Sequence, residues 1–377
     1  MNEMKSFLPA DTAFDHAGAR LTIDLGAIVA NWKDLCRLSG KARTAAVMKA
    51  NAYGLGAVEV GLALAAAGCR DFFVATPEEG SRLRLVAPQA RIFVLNGVWR
   101  GVEGPVLTDG LIPVLGSMEQ YAFLRKIAPD HSYALYVDTG MNRLGLTVAQ
   151  AALLAADPAM KPSLVLSHLA CSDEPRHPMN QRQCESFREV TGLFAGVESS
   201  LCSSGGIFLG PDYHFDLTRP GISLYGGEAV IGMQNRMRPV VKAEARILQI
   251  RNVETGEFAS YGAAHRFERA SRIAIVGAGY ADGWQRALSG AGTALRQNGS
   301  SGACGFIVGE RVPLIGRITM DLTTFDISHI PEERVRTGDY VELFGPNINL
   351  DEAAHAAGTI GYEMLTSLGQ RYARRYA

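Results

Sequence analysis

The stretch Ala45-Ala46-Val47-Met48-Lys49-Ala50-Asn51-Ala52-Tyr53-Gly54-Leu55-Gly56 decides how this chain is read. A short apolar run with a β-branched residue predicts a buried strand, and Lys49 closes it where the strand enters a loop. Tyr53 follows one helical turn later, and Gly54 and Gly56 let backbone come close to a ligand. A lysine at the mouth of an apolar strand is expensive to bury charged, and desolvation lowers its pKa towards a nucleophilic amine. An aldehyde cofactor such as pyridoxal phosphate needs that free amine to form its Schiff base. Taken alone, the same lysine also reads as a strand-end residue snorkelling to solvent.

Outward from this strand, a rhythm of apolar strand, turn and amphipathic helix sets in. Strands are predicted over 44–49, 71–75, 91–95, 111–115, 133–137, 163–168 and 199–203, with a last one near 214–219. Helical spacing occupies 27–38, 57–67, 77–86, 117–127, 147–155 and 180–194. Eight strands alternating with helices over about 200 residues predict a (β/α)8 TIM-like barrel, whose active site lies at the C-terminal ends of the strands. Lys49, Asp138, Arg143, His168, Ser204 and Arg219 all fall at those ends or in the loops just beyond. Their coincidence there says more than any one of them.

Past Pro239 the texture changes to strands separated by Gly-rich turns, at 243–253, 272–276, 305–308, 312–315, 322–327 and 340–344. This predicts a C-terminal, mainly-β domain over 239–377, closing on a helical segment at 350–372, after a barrel over 27–238. Residues 1–26 are expected to be an N-terminal arm, loose over 1–19, with a strand at 20–26 that has no partner inside the barrel and is expected to pack with the β domain. The run from Ile275 to Gly283 imitates a dinucleotide fingerprint, but its third glycine is one place late and no βαβ unit follows.

Composition narrows the function. A chain of 377 residues with 47% hydrophobic and 20% charged content is an ordinary globular protein of about two domains. A net charge of −1 gives no reason to expect nucleic acid, and no apolar run reaches membrane-spanning length. The N-terminal stretch has no long apolar core behind a basic start, so no secretory signal is expected. Six scattered cysteines without a CxxC pair suit reduced thiols in a cytoplasm. Cys171, His177 and Cys184 fit no usual zinc spacing, so no metal is expected.

The string AVMKANAYGLG resembles the cofactor-lysine segment of the alanine racemase family, pyridoxal 5'-phosphate enzymes with a barrel and a β domain. Five further segments match in the family's order: 138–145, the region of His168, Ser204, 219–226, and the pair Tyr261 and Met320. The resemblance implies Lys49 as the cofactor lysine and Tyr53, Ser204, Gly221 and Ile222 as phosphate contacts, with Tyr225 among the cofactor-binding residues. Arg219 is expected to face the pyridine nitrogen, where many other such enzymes place a carboxylate. A permanently charged arginine leaves that nitrogen unprotonated and weakens the electron sink, which suppresses side reactions. Racemisation needs a base on each face of Cα, and the resemblance supplies Lys49 for one and Tyr261 for the other. A phenol has a reference pKa near 10, so Tyr261 needs help to act as phenolate, with His168 and behind it Arg219 as the expected relay. Arg143 is expected to take the substrate carboxylate, a bidentate task suited to guanidinium. Met320 and Asp321 are expected to line the substrate entrance.

Two positions depart from the family. Where relatives often carry a carbamylated lysine that orients the arginine, this chain has Tyr136, and where they carry a phosphate-binding tyrosine in the tail, an ungapped alignment gives Gln370. Because the family completes each site from a second subunit through its β domain, the resemblance implies a homodimer whose sites are built in trans. The implied activity is interconversion of L- and D-alanine, for peptidoglycan or for alanine catabolism. A basic amino-acid decarboxylase on the same barrel would want a carboxylate where Arg219 stands, and a pyridoxal phosphate carrier would have no use for Tyr261.

Overall fold

A computed structural model describes residues 10–157, 160–290 and 302–377. They form two compact units, one being Leu25–Arg238 and the other the residues up to Asp24 together with Pro239–Ala377.

In the first unit Ala46–Val47, Asp71–Val74, Arg91–Val94, Ile112–Leu115, Ala134–Tyr136, Leu164–Leu166 and Ser199–Ser200 lie parallel in one seven-stranded sheet. Leu217–Thr218 pairs in parallel with Arg43–Thr44, just ahead of the first strand. Hydrogen bonds from Asp216 N to Ser199 O and from Val47 N to Pro220 O, both 3.0 Å, join the last strand to its neighbours on either side. The sheet thus closes into the (β/α)8 barrel. Nearly every strand residue is buried on both faces, which is why the strands read as unbroken apolar runs rather than alternating ones. Helices including Leu25–Ser39, Ala57–Ala66, Pro77–Arg84, Met118–Ile127, Val148–Ala155 and Pro178–Leu193 surround it. Thr76 and Thr147 start two of them with full capping boxes. His177, considered above beside two cysteines, caps another by accepting the Met179 N–H on Nδ1 at 3.2 Å.

The entry ends of the strands are closed by charge. Asp71 accepts from Arg91 at 2.6 Å and pairs with Arg43 at 3.2 Å, while Glu198 holds both arginines at 2.8 Å. Each carboxylate thus holds both arginines. The chemistry-bearing residues sit at the opposite, exit ends.

The second unit holds an eight-stranded sheet in the order Ser271–Val276, Thr323–Asp326, Glu310–Ile315, Cys304–Ile307, Tyr340–Phe344, Val241–Val253, Ala19–Ile23, Ala373–Tyr376. The 13-residue strand Val241–Val253 also pairs with Ser271–Val276, so six of the strands close on themselves. Ala19–Ile23 lies antiparallel to its start and parallel to Ala373–Tyr376.

Two expectations are corrected by this arrangement. The arm expected to be loose over 1–19 contains a helix at Ala10–Asp15, with Phe14 buried, while residues 1–9 lie outside the described residues. The helical segment expected over 350–372 is two helices, Leu350–Ala357 and Gly361–Thr366, broken at Gly358 with φ 73°. Beyond it the tail ends in a strand, because Ala373–Tyr376 finds an open edge beside Ala19–Ile23.

Candidate active site

Ala46–Val47 delivers Lys49 to the exit mouth of the barrel, with Met48 wholly buried beneath it and its N–H donating to Phe73 O at 2.7 Å. The lysine opens to solvent, yet protein atoms crowd it enough that desolvation lowers its pKa. Arg143 pushes the same way and Glu79 opposes. The backbone then does something no residue here advertises. Ala50, Asn51, Ala52 and Tyr53 have φ of 53°, 56°, 53° and 54°, a left-handed helical turn made without glycine. Such a conformation costs an L-residue roughly 1–2 kcal/mol each, so other contacts must hold it. Ala52 N donates to Met48 O at 2.8 Å and Gly54 N to Ala50 O at 2.7 Å inside the turn. Outside it, Asn51 Oδ1 accepts from Ala57 N at 2.9 Å and Glu79 Oε1 accepts from Ala50 N at 2.6 Å.

The turn buries Tyr53 against Tyr225, ring centroids 4.7 Å apart. Tyr225 itself donates to Val47 O at 2.8 Å, and burial pushes its phenol far up, so it props Tyr53 as a neutral group. Opposite them Ser204 Oγ accepts from Gly221 N at 2.9 Å and from Ser223 N at 3.3 Å, which leaves its own proton to donate. A methyl on Gly221 would collide with the Tyr53 hydroxyl and lie 3.0 Å from its Cζ, and one on Gly205 would lie 2.7 Å from Ser172 O. The two glycines thus let the Tyr53 hydroxyl and Ser172 come close to backbone, and Tyr53, Ser204, Gly205, Gly221 and buried Ile222 gather at one exit end. The Ser204 and Tyr53 hydroxyls there are donors of the kind a phosphate takes.

Arg219 is buried and fixed. Its guanidinium donates to Ser167 O at 2.5 Å, to Leu201 O at 3.2 Å and to Ser200 Oγ. Burial lowers its pKa, but no carboxylate partners it among its contacts, so its charge remains available to a ligand. Beside it His168 is held down to about 3 by burial first, then by the charges of Arg219, Arg143 and Lys49. The imidazole is therefore neutral at physiological pH. Gln183 fixes the same strand end, donating to His168 O at 2.9 Å and accepting from Ala170 N at 2.8 Å.

Arg143 lies on a loop gathered around Asp138, whose carboxylate accepts from Gly140 N and Met141 N at 2.8 Å and from Arg143 N at 3.0 Å. Tyr136 is buried beside it. Its hydroxyl has no hydrogen bond of ordinary geometry, and burial raises its pKa against the lowering pull of Arg219 and Arg143. Position 136 thus offers a neutral phenol where a negative partner for Arg143 is usual in the family described above. Asp138 organises the arginine through backbone instead.

Tyr261, Met320 and Asp321 belong to the second unit. Tyr261 opens a 3₁₀ turn, Tyr261–Ala263, and is 73% exposed. The turn is pinned by Ser260, whose hydroxyl accepts from Arg317 N at 2.9 Å. Asp321 pairs with Arg371 at 2.7 Å, and Arg371 also grips Asp282 at 2.7 Å. Gln370 is exposed, and the tail's tyrosines stand at 362, 372 and 376. The structure thus brings together Lys49, Tyr53, Arg143, His168, Ser204, Arg219, Gly221, Ile222 and Tyr225 on one unit. Two supporting residues escaped the sequence reading, Glu79 and Ser200. The spacing of Thr76 and Glu79 is a capping-box signal, but nothing in it foretells the reach to Ala50.

A desolvated lysine amine, hydroxyl donors beside glycine backbone and a buried cation with no carboxylate partner gather at one mouth, and this donor set fits pyridoxal phosphate. Family models agree. One described as the alanine racemase N-terminal domain matches residues 23–229, and one described as the alanine racemase C-terminal domain matches 240–376. A biosynthetic alanine racemase of Agrobacterium fabrum is 59% identical over 371 residues, covering 97% of this chain and 95% of that protein. An alanine racemase of Rhizobium meliloti is 56% identical over 370 residues, with 96% and 98% covered. Among solved structures, the alanine racemase from Bartonella henselae with covalently bound pyridoxal phosphate has a TM-score of 0.88 at 37% identity, covering 96% of this chain and all 100% of that one.

Proposed function

Because this chain belongs to the alanine racemase family through both its domains, we propose that its interconversion of L- and D-alanine uses Lys49 on one face of Cα and Tyr261 on the other. The enzyme is a pyridoxal-phosphate-dependent isomerase, serving peptidoglycan or alanine catabolism. When bound, the cofactor supplies the electron sink that makes the Cα proton removable.

The chain's own residues divide the work. Lys49 holds the cofactor, and the desolvation that lowers its pKa enlarges the share of free amine able to take a proton from Cα. Tyr53, Ser204, Gly221 and Ile222 hold the phosphate, with Tyr225 as a prop. Arg219 faces the ring nitrogen and keeps it unprotonated. Arg143, ordered by Asp138, takes the substrate carboxylate. Tyr261 takes or returns the proton on the second face, oriented by neutral His168 with Arg219 behind. Met320 and Asp321 line the entrance. The observation that carries this assignment is the buried Arg219, fixed by Ser167 and Leu201 with no carboxylate beside it.

Tyr261, Met320 and Asp321 are assigned to the site of a second copy, making the enzyme a homodimer with sites completed in trans. In support, Tyr261 is 73% exposed, and Phe258, Met320 and Leu322 are apolar residues exposed on the same unit. A fully active monomer in sedimentation and assay would refute this. No helix among the described residues is long and apolar enough to cross a membrane, and six free thiols support a cytoplasmic setting.

The division of faces is tested by two variants. Lys49→Ala should abolish covalent cofactor attachment. Tyr261→Ala should keep it but lose proton abstraction from L-alanine far more than from D-alanine, read by solvent-deuterium incorporation. Equal losses for the two enantiomers would overturn the assignment.

A further inference from the structure

The left-handed turn after Lys49 has a donor problem at its start. Like the first residues of any helix, its leading N–H groups find no partner within the turn. Ala50 N is the first of them, and Glu79 Oε1 accepts from it at 2.6 Å. The other carboxylate oxygen, Oε2, accepts from Ala75 N at 2.8 Å and from Thr76 N at 3.4 Å, at the exit end of the neighbouring strand Asp71–Val74. One side chain therefore ties two adjacent strand exits together. It does so at the residue immediately following Lys49. The turn it holds is one that alanine rarely adopts, with φ of 53° at both Ala50 and Ala52. It ends at Tyr53, whose hydroxyl abuts Gly221 in the phosphate cradle.

The hand of the turn fixes the spacing between amine and phenol. A right-handed turn of the same length would send the residue four places after Lys49 round the helix axis in the opposite sense. We propose that Glu79 is a positioning residue for the cofactor, its carboxylate holding residues 50–53 left-handed so that Lys49 and Tyr53 address one bound molecule. This rests on the assignment of Lys49 and Tyr53 to pyridoxal phosphate made above. Glu79 touches neither substrate nor cofactor in this role. Its charge also bears on the lysine amine, consistent with its place beside the turn.

The test uses the full-length enzyme, resolved of cofactor and titrated with pyridoxal phosphate. Glu79→Ala removes a charge-assisted hydrogen bond to a backbone N–H, a loss of about 10-fold to 100-fold in cofactor affinity. Ala50→Gly supplies a residue that adopts positive φ without the tether. In the Glu79→Ala background it should recover most of the lost affinity, while changing the parent by less than about threefold. Thr76→Ala removes the helix cap alone, so it should lower the thermal midpoint and leave cofactor affinity intact. A Glu79→Ala variant that binds cofactor like the parent overturns the proposal. So does a loss that Ala50→Gly fails to recover, or one that Thr76→Ala reproduces. If Glu79→Ala does not fold, Glu79→Gln is read by the same rescue and the same criteria. Borohydride trapping and peptide mapping of the parent separate this from the underlying assignment. Label on another lysine refutes the role of Lys49, whereas label on Lys49 with an indifferent Glu79 refutes only the tether.

Discussion

Gly221→Ala is the sharpest probe of the phosphate cradle. The added methyl would fall on the Tyr53 hydroxyl and lie 3.0 Å from Tyr53 Cζ, where ordinary contact begins at 3.4 Å. Neither partner can retreat easily. Tyr53 is backed by Tyr225 at 4.7 Å between ring centroids, and Gly221 N is bonded to Ser204 Oγ at 2.9 Å. Overpacking of a filled site costs about 1–3 kcal/mol. Expressed in cofactor binding, that is roughly a 5-fold to 150-fold loss. Equilibrium titration of the cofactor-free enzyme with pyridoxal phosphate measures the loss directly. Tyr53→Phe removes the colliding oxygen, so the double variant should lose less than the two singles added together. Additive losses, or a Gly221→Ala enzyme that binds within about twofold of the parent, would refute the cradle as drawn here.

Other consequences can be checked independently. His168 has a folded-state pKa of about 3, below the roughly 6.5 of an unfolded histidine. The unfolded chain therefore binds the extra proton first as pH falls. Stability that is intact above about 6.5 should be lost progressively towards about 3. His168→Gln should flatten that decline in denaturant titrations at a series of pH values, and an unchanged pH dependence would remove His168 as a contributor. Asp138→Asn keeps one acceptor oxygen but turns an N–H towards one of three backbone donors. Loosening of the loop should raise the alanine KM about tenfold with kcat little changed. A fall in kcat at constant KM would instead place Arg143 in the chemistry.

How much of this was legible in the residues depends on what kind of force decides each part. The barrel strands were, because burial on both faces forces runs such as Phe72-Phe73-Val74 and Ile92-Phe93-Val94. The strand at Ala19–Ile23 was legible as well, through its alternating burial. Ala373–Tyr376 was not, since its sequence Ala-Arg-Arg-Tyr carries no apolar period and only the open edge beside Ala19–Ile23 makes it a strand. In the site, Lys49, Arg219 and His168 fall at expected strand exits, but their roles were implied by the family resemblance. The left-handed turn could not be. Lys-Ala-Asn-Ala-Tyr reads as the loop after a strand, and alanine gives no sign of positive φ. What selects the turn is Glu79, 29 positions away in sequence. Tyr136 was recognised as a departure, but only the structure reveals that its hydroxyl is buried beside Arg143 with no hydrogen bond of ordinary geometry.

The electrostatics around His168 bear on who moves the second proton. Three cations, Arg219, Arg143 and Lys49, act on the imidazole, and with burial they hold it at about 3. A group so far below neutrality is almost never protonated at the operating pH, and an acid catalyst works best with a pKa near that pH. Such a ring is poorly suited to donating the proton at Cα. It can only accept or pass on a hydrogen bond as a neutral ring. Arg219, buried and charged, is the fixed positive end of that line, and positive potential stabilises an adjacent phenolate. The same cations that disable histidine as an acid leave the second proton to another group. In the proposed assembly that group is Tyr261. His168→Gln, which keeps a neutral hydrogen-bonding group, should then retain much of the activity. His168→Leu, which breaks the line, should depress abstraction from L-alanine selectively. If both variants fail alike on both enantiomers, His168 is itself the acid and the role of Tyr261 falls with it.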